Sequence, residues 1–444
     1  MPRVLVLGAG LVARPLVQYL LDKGHGVVLV DAVVSKAEKM IAGRKNGEAH
    51  ALVLNETPGP DDEARVEALV RTCDLAVSLL PYAYHPIVAR ACIASKKHMV
   101  TTSYVSDAMK ALDRSARAAG VMCLNEVGFD PGMDHMSAMR IIDAVKRRGG
   151  RVVAFRSYCG GLPAPDANDN PLGYKFSWAP RGVLLAGRND ARYLLDGRIV
   201  DVPNQRLFRD MHMVRVDDSA CFEAYPNRDS TSYIDIYGLE GIETILRGTF
   251  RNPGWCDCLH NFNALGLFSV DEMSVKGKTY AHLMRELVDC GPTDDLGQAT
   301  ARKLGIPVES LPISNLRWLG LLSDRPFTVD TISPLDAIGQ LMYEKLAYRE
   351  GERDMIVLYH DFRVELPGGK RERITSRLID FGIPYGDSAM SRTVSLPAAI
   401  AVNLLLEGKI TGCGVLRPVA PDLYDPILDE LATMGIRCEE KTEQ

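Results

Sequence analysis

The residues Gly8-Ala9-Gly10-Leu11-Val12-Ala13 follow the apolar run Val4–Leu7 and open a helical pattern, an arrangement suited to holding a dinucleotide. In a G-x-G-x-x-A turn the first glycine permits the tight bend and the second lets the backbone approach a pyrophosphate. The alanine lets helix and strand pack closely. Free N–H groups and the positive dipole end of the helix then face the phosphates. Asp31 closes the next apolar run at 31 − 10 = 21 residues beyond Gly10, the spacing of an acid that accepts from a ribose 2′-OH. A carboxylate there repels a 2′-phosphate, and Asp31-Ala32 has no neighbouring arginine. These residues therefore predict NAD as cofactor, with NADP as the alternative.

Further segments carry groups able to do chemistry. Ser78-Leu79-Leu80-Pro81 ends an apolar run, at the strand edge where ligands bind in parallel sheets, although a proline turn alone would explain it. Ser103-Tyr104 leaves the following run in the same way, and Tyr104 also reads as a half-buried aromatic with its hydroxyl satisfied locally. Asp130-Pro131-Gly132-Met133 looks like a helix start, and capping alone would account for Asp130. Arg228 sits in the polar loop Asn227–Asp229, and Arg251 ends Arg247-Gly248-Thr249-Phe250-Arg251, where glycine and threonine admit close backbone approach. A guanidinium grips a carboxylate bidentately, yet most arginines are solvated surface residues. The titratable candidates for proton transfer are Asp130, Tyr104 and Cys159, with His135 weaker; Cys159 reads equally as an inert buried thiol, and the spacing shows no dyad.

Residues Ser157–Gly182 read SYCGGLPAPDANDNPLGYKFSWAPRG. The block is too rich in Gly, Pro, Asn and Asp for one core element, and its glycines and prolines fix a turning path. Tyr174, Phe176 and Trp178 supply rigid anchors, so an ordered binding loop is expected, to which Lys175 and Arg181 add positive charge.

These groups need a scaffold, and the first third of the chain supplies one. Apolar runs at Val4–Gly8, Val27–Asp31, Ala51–Asn55, Leu75–Pro81, His98–Ser103 and Val121–Val127 alternate with helical segments such as Val12–Lys23, His85–Ser95 and Asp107–Ala119. Strands alternating with helices imply parallel pairing, and six strands complete a doubly wound Rossmann sheet. Beyond Gly150 the pattern is mixed. Val152–Cys159 and Tyr233–Gly238 look like strands, and residues 249–349 look mostly helical. Met355–Leu366 and Arg371–Gly382 read as a hairpin around Pro367-Gly368-Gly369. The tail carries an apolar helix at Pro397–Leu406 and a last helix near Ile427–Met434.

At 444 residues the chain is long enough for two or three domains, and its 46% hydrophobic and 25% charged content is that of a soluble globular protein. A net charge of −5 offers no basic field for nucleic acid, and no apolar run approaches the roughly 18 residues that span a bilayer. The N-terminal apolar run is too short for a signal peptide. The 10 cysteines therefore read as reduced thiols in a cytoplasmic protein. Cys256-Asp257-Cys258 has no companions at zinc spacing, so no metal is expected.

The chain resembles the L-glutamate-forming saccharopine dehydrogenases, also called saccharopine reductases. The resemblance rests on the Ser157–Gly182 block and on VLGAGLVARP (Val6–Pro15), SLLPYAYHP (Ser78–Pro86), VTTSYVS (Val100–Ser106) and NEVGFDPGMDHM (Asn125–Met136). It continues through YPNRDST (Tyr225–Thr231), RGTFR (Arg247–Arg251), WLGLLSD (Trp318–Asp324), GERDMIVL (Gly351–Leu358) and SAM (Ser388–Met390), in order along nearly the whole chain. It implies a Rossmann domain from residues 1–135 and 390–444 and an α+β, mixed-sheet substrate domain from 136–248 and 352–389. A mainly helical insertion, 249–351, would lie between, and the assembly would be a homodimer. By resemblance the dinucleotide lies against Gly8–Ala13, Asp31, Asn55, Ser78–Pro81 and Pro131–Met133. The substrate lies against Ser103, Tyr104, Asp130, Arg228, Thr249, Phe250 and Arg251. Fungal members with an arginine-containing turn near Asp31 use NADP, whereas animal domains use NAD. Asn55 stands where the family often has Asp, and Ala179 where fungal members have Ser.

The implied reaction is hydride transfer from the lysine-derived ε-carbon of saccharopine, giving an imine that water hydrolyses to glutamate and 2-aminoadipate 6-semialdehyde. We expect that no single side chain is an indispensable base, because the nicotinamide does the redox chemistry and the protein positions and desolvates. A carboxynorspermidine dehydrogenase or homospermidine-synthase-like polyamine enzyme is the alternative. It would not need several carboxylate clamps, so Arg228 and Arg251 argue against it. A non-catalytic NAD-binding regulator would have no use for the Ser157–Gly182 block.

Overall fold

Short apolar runs separated by helical segments can bury both faces of a sheet only if the strands are parallel and helices cover each side. In the N-terminal third of the chain they do so. The computed structural model describes all 444 residues and divides into two compact units. The first comprises Met1–Arg151, Leu366–Lys370 and Gly386–Glu439, and the second Val152–Glu365, Arg371–Tyr385 and Glu440–Gln444.

In the first unit β1 (Arg3–Leu7) leads through α1 (Arg14–Asp22) to β2 (Gly26–Asp31), α2 (Val34–Ile41) and β3 (Gly47–Ala51). The chain then passes α3 (Pro60–Val70), β4 (Leu75–Ser78), α4 (His85–Ala94), β5 (His98–Thr101), α5 (Asp107–Lys110), α6 (Asp113–Ala119), β6 (Met122–Leu124) and α7 (Met133–Arg147). The strand Gly414–Leu416 joins beside β6. The seven strands pair in the order Gly414–Leu416, β6, β5, β4, β1, β2, β3, all parallel. The order reverses between β1 and β4, so the crevice at their carboxyl ends is where a doubly wound sheet takes its ligand.

The residue patterns mislead in places. The third strand is Gly47–Ala51, not Ala51–Asn55. It is the sheet's edge and largely exposed, so it needs no apolar run, and Asn55 falls in the loop beyond it. The expected helix Asp107–Ala119 is two, α5 and α6. The helix Ala389–Leu406 is by length and composition long and apolar enough to cross a bilayer, though no continuous apolar run marks it; 83% of it is buried, and it packs on α1. Its apolarity is that of a core helix.

The second unit is built on a nine-stranded mixed sheet. Its centre is β7 (Arg151–Pro163), which pairs in parallel with the strand Thr244–Arg251. The hairpin of Asp354–Leu366 and Lys370–Phe381 lies on the other side of β7. Thus the first seven residues of the Ser157–Gly182 block are strand, and the irregular path begins only at Ala164. Gly160 serves strand approach rather than a turn. A Cβ there would lie 2.8 Å from the Cβ and carbonyl oxygen of Phe250. Tyr233–Tyr237 is a short helix closed by Gly238 in the left-handed region at φ 59°, not the expected strand, because its apolar residues also satisfy one helical turn.

The first unit runs on through α7 to Arg151. The helical stretch 249–351 lies within the second unit. Trp255, Phe262, Leu316 and Leu341 share one core with Tyr158, Tyr174 and Phe250 of the sheet and loop.

Candidate active site

The turn after β1 is built as a dinucleotide cradle. Gly8 adopts φ +108°, and a Cβ on it would meet the Leu79 carbonyl oxygen at 3.0 Å, so the turn closes against the end of β4. Nothing lies within 4 Å of the Cβ position of Gly10, which leaves open space where a pyrophosphate would pass. The amide N–H groups of Leu11 and Val12 take part in no hydrogen bond within the chain, and α1 has no side-chain cap. Leu11 is 69% exposed beside them, whereas Ala13 is fully buried against the sheet. Room, free donors and a helix dipole together fit a dinucleotide diphosphate.

Asp31 ties this loop down. Its carboxylate accepts from Ala9 N–H at 2.8 Å and from Val33 N–H at 2.9 Å. A carboxylate has about four acceptor positions, so a ribose hydroxyl finds others open. Asn55 donates to Asp62 at 2.9 Å, and its carbonyl accepts from Tyr84 at 3.0 Å. Asp62 is fully buried at the start of α3. The Gly59 amide, with lesser help from Asn55 and Arg65, holds its carboxyl below the usual range despite burial. Ser78 is fully buried, Leu79 and Leu80 line the strand end, and Pro81 is exposed past it. Leu79 N–H donates to Leu7 at 2.8 Å, stitching β4 to β1 at the crevice.

Tyr104 and Asp130 form the dyad that sequence spacing hid. The tyrosine hydroxyl donates to the Asp130 carboxylate at 2.6 Å. Asp130 does not cap α7, whose N-cap is Gly132, so capping is set aside as its explanation. Gly132 has φ +151°, and a Cβ there would collide with the backbone of Gly128. The peptide before Pro131 is cis. Pro131 and Met133 are buried in this turn.

Behind the dyad lies a buried charge cluster that residue types alone did not reveal. Glu126 accepts from Val105 N–H at 2.9 Å and from Arg417 Nε at 2.8 Å, and lies 2.7 Å from His135 Nε2. Burial raises its carboxyl, but the hydrogen bond and charge of His135, with the charge of Arg417, outweigh that and bring it to about 2. His135 is fully buried and committed to this cluster. Ser103 and Ser78 meet the two ring nitrogens of His85, each at 2.8 Å. His85 stands one place before a proline inside a recognisable motif, and only its burial between two strand ends marks it.

In the second unit Arg251 is 5% exposed, and no carboxylate within the chain pairs with it. Its guanidinium centre lies 4.9 Å from the ring centroid of Tyr174, 5.4 Å from Trp255 and 6.0 Å from Tyr225. Nη1 donates to the Phe250 carbonyl at 2.7 Å, and Nε is buried with no partner. A buried cation held by aromatic faces and one carbonyl has the chemistry to take an anion as counter-charge.

Thr249 is half-buried and stands opposite half-buried Cys159 in the parallel register. The Phe250 side chain is fully buried, stacked on Tyr158 at 5.3 Å, so any substrate contact there is through backbone. Arg228 is exposed, with φ +55° in its loop.

The positive charge expected from the polar block is already used. Lys175 is 2% exposed and bonded to Glu352 at 2.7 Å and Asp169 at 2.9 Å, and Arg181 pairs with Asp336 at 3.0 Å. Lys175 thus anchors the loop from within. Cys256 and Cys258 are buried, and burial pushes the Cys258 thiol up to about 12.

A doubly wound sheet with an open glycine turn at its switch point and an acid ending β2 defines a dinucleotide-dependent enzyme of the Rossmann class. The profile of the saccharopine dehydrogenase NADP binding domain matches residues 4–124, and that of the saccharopine dehydrogenase C-terminal domain matches residues 128–436. The chain is 39% identical over 452 residues to saccharopine dehydrogenase [NADP(+), L-glutamate-forming] of Schizosaccharomyces pombe, covering 99% of each. It is 39% identical to the mitochondrial alpha-aminoadipic semialdehyde synthase of Bos taurus, matching 98% of this chain and 47% of that one. Among solved structures it is similar to apo saccharopine dehydrogenase (L-Glu forming) from Saccharomyces cerevisiae, with a TM-score of 0.89, 35% identity and full coverage of both chains. The chain belongs to the saccharopine dehydrogenase family, and the polyamine reading finds no support in these likenesses.

Proposed function

We propose that this protein interconverts L-saccharopine with L-glutamate and L-2-aminoadipate 6-semialdehyde, as an oxidoreductase on the secondary amine. The observation that carries the reading is Arg251, a buried guanidinium without an acid partner, in a chain whose fungal relatives are named as L-glutamate-forming. A substrate with three carboxylates supplies the missing anion, and Arg228 in its exposed loop is a second clamp.

When bound, the nicotinamide accepts hydride from the carbon that bears the secondary amine. The other duties fall to this chain's own residues. Asp130 accepts the amine proton before hydride leaves, and the Tyr104 hydroxyl stabilises the resulting charge distribution. The same pair serves water as it adds to the imine. Cys159 and Thr249 lie beside one another as further polar contacts. The protein works in the cytoplasm as a homodimer, which light scattering at twice the 48.8 kDa chain mass would register.

For the cofactor we favour NAD, because Asp31 is an acid at the end of β2, and a carboxylate there accepts from a ribose hydroxyl and repels a 2′-phosphate. The NADP(+) in the names of fungal relatives supports the alternative. The test is reduced-dinucleotide formation from L-saccharopine with NAD, beside NADP and beside carboxynorspermidine. Turnover of saccharopine with NAD preferred supports both readings. A preference for NADP discards Asp31 as selector and keeps the enzyme. Turnover of the polyamine alone discards the arginine clamps.

A further inference from the structure

His85 joins the cofactor and substrate edges of the first unit. Its Nδ1 lies 2.8 Å from Ser78 Oγ at the end of β4, and its Nε2 lies 2.8 Å from Ser103 Oγ just past β5. Thr101 Oγ1 is more distant from Nε2, at 3.4 Å. The ring is 2% exposed and no acid pairs with it; burial alone pushes its pKa down to about 4, so it is neutral at pH 7.

A neutral imidazole carries one N–H, and the two serines decide which nitrogen holds it. The Ser78 hydroxyl is fully buried, with His85 Nδ1 its only partner. Were Nδ1 protonated, it would donate to Ser78 and leave the serine's own hydrogen buried without an acceptor, the arrangement that native structures avoid. With Nε2 protonated, Ser78 donates to Nδ1 and Nε2–H donates to Ser103. The Ser103 hydroxyl is half-buried, so its hydrogen can reach a ligand.

We infer that His85 is a positioning residue: held by Ser78 as the Nε2–H tautomer, it turns Ser103 into a hydroxyl donor aimed at a carboxylate of the substrate. The carboxylate rests on the proposed function; the tautomer does not. The arrangement favours an acceptor over an ammonium group at Ser103, because one lone pair of that oxygen is already taken.

The first experiment is nitrogen NMR of the free protein labelled with 15N-histidine, with the His85 ring assigned by its loss in His85→Gln. A protonated Nε2 and a bare Nδ1 from pH 5.5 to 8 are expected. The second is kinetic. His85→Ala and Ser103→Ala should each raise the KM for saccharopine about tenfold, the worth of one hydrogen bond to a charged group. The double variant should lose no more than either single one, and the dinucleotide Kd should stay within about twofold. His85→Gln, whose amide can replace the Nε2 donor, should recover most of the loss. A protonated Nδ1, additive losses, or a dinucleotide Kd that rises in step with KM would overturn the inference. If the His85 variants do not fold, half-buried Ser103→Ala and the wild-type tautomer still decide. Wild-type protein that leaves saccharopine untouched defeats the proposed function, and is told apart because the tautomer is read without substrate.

Discussion

Arg251 carries a full positive charge into an aromatic box with no acid to meet it, an arrangement that lowers stability in the free protein. Binding sites accept such costs when a ligand supplies the counter-charge. Arg251→Met should therefore melt no lower than the parent in differential scanning fluorimetry. Its kcat/KM for saccharopine should fall by about 100-fold, because hydrogen bonds to charged groups contribute roughly 1.5–3 kcal/mol each. A variant that melts much lower with intact kinetics would make Arg251 a structural residue. Tyr104 and Asp130, hydrogen-bonded at 2.6 Å, are the proposed proton-handling pair, and general catalysis of this kind contributes about 10²–10⁴-fold. Tyr104→Phe removes one donor and leaves the carboxylate, so kcat should drop about 10- to 100-fold with little change in dinucleotide binding. A loss beyond about 10⁴-fold in steady-state kcat would contradict the expectation that no residue is indispensable.

Among the strands and turns, the site depends on places where two backbones come closer than a side chain allows. Gly132 presses on Gly128 beneath Asp130, and Gly160 lets β7 approach Thr244–Arg251. Gly132→Ala adds a forbidden φ to a collision, and a loss of about 3 kcal/mol or more is expected. Gly160→Ala has an ordinary φ but must push β7 away from the strand it pairs with, which ends in Arg251. It should lower both the urea midpoint and saccharopine binding. Circular dichroism through a urea series checks each, and an unchanged midpoint would show that the turn or the strand pair relaxes freely.

Across the whole molecule, Glu126 links segments far apart in the chain: Val105, His135 and Arg417 all meet its carboxylate. Its pKa is depressed in the folded protein, from an ordinary 4.5 to about 2. The unfolded chain therefore binds more protons in that interval, and stability rises with pH there. The contribution is complete above roughly pH 5 and is lost as pH falls toward 2, amounting to about 3 kcal/mol. Glu126→Gln should be less stable at pH 7, because Arg417 loses its counter-charge, and should show a flatter acid limb. Urea midpoints at pH 7, 5, 4 and 3 test this; parallel limbs would remove Glu126 from the acid response.

Residue order alone dictates the features that local chemistry controls. The glycine turn at Gly8–Ala13 and the acid at Asp31 follow from spacing along one βαβ unit, which is a local property. The alternation of strands and helices set the parallel sheet for the same reason. Local pattern failed where neighbours across the fold decide. The exposed edge strand Gly47–Ala51 lacks an apolar run, Tyr233–Tyr237 suits either element, and Gly160 of the polar block answers to Phe250 rather than to a turn. Which charges are free emerged only from the folded chain. Lys175 and Arg181 read as cations and are neutralised by acids distant in sequence, whereas Arg251 is left unpaired. Folding also brought Tyr104 to Asp130 and set His85 between Ser78 and Ser103, because hydrogen bonds between strand ends depend on the order of strands in the sheet and leave no mark in residue spacing.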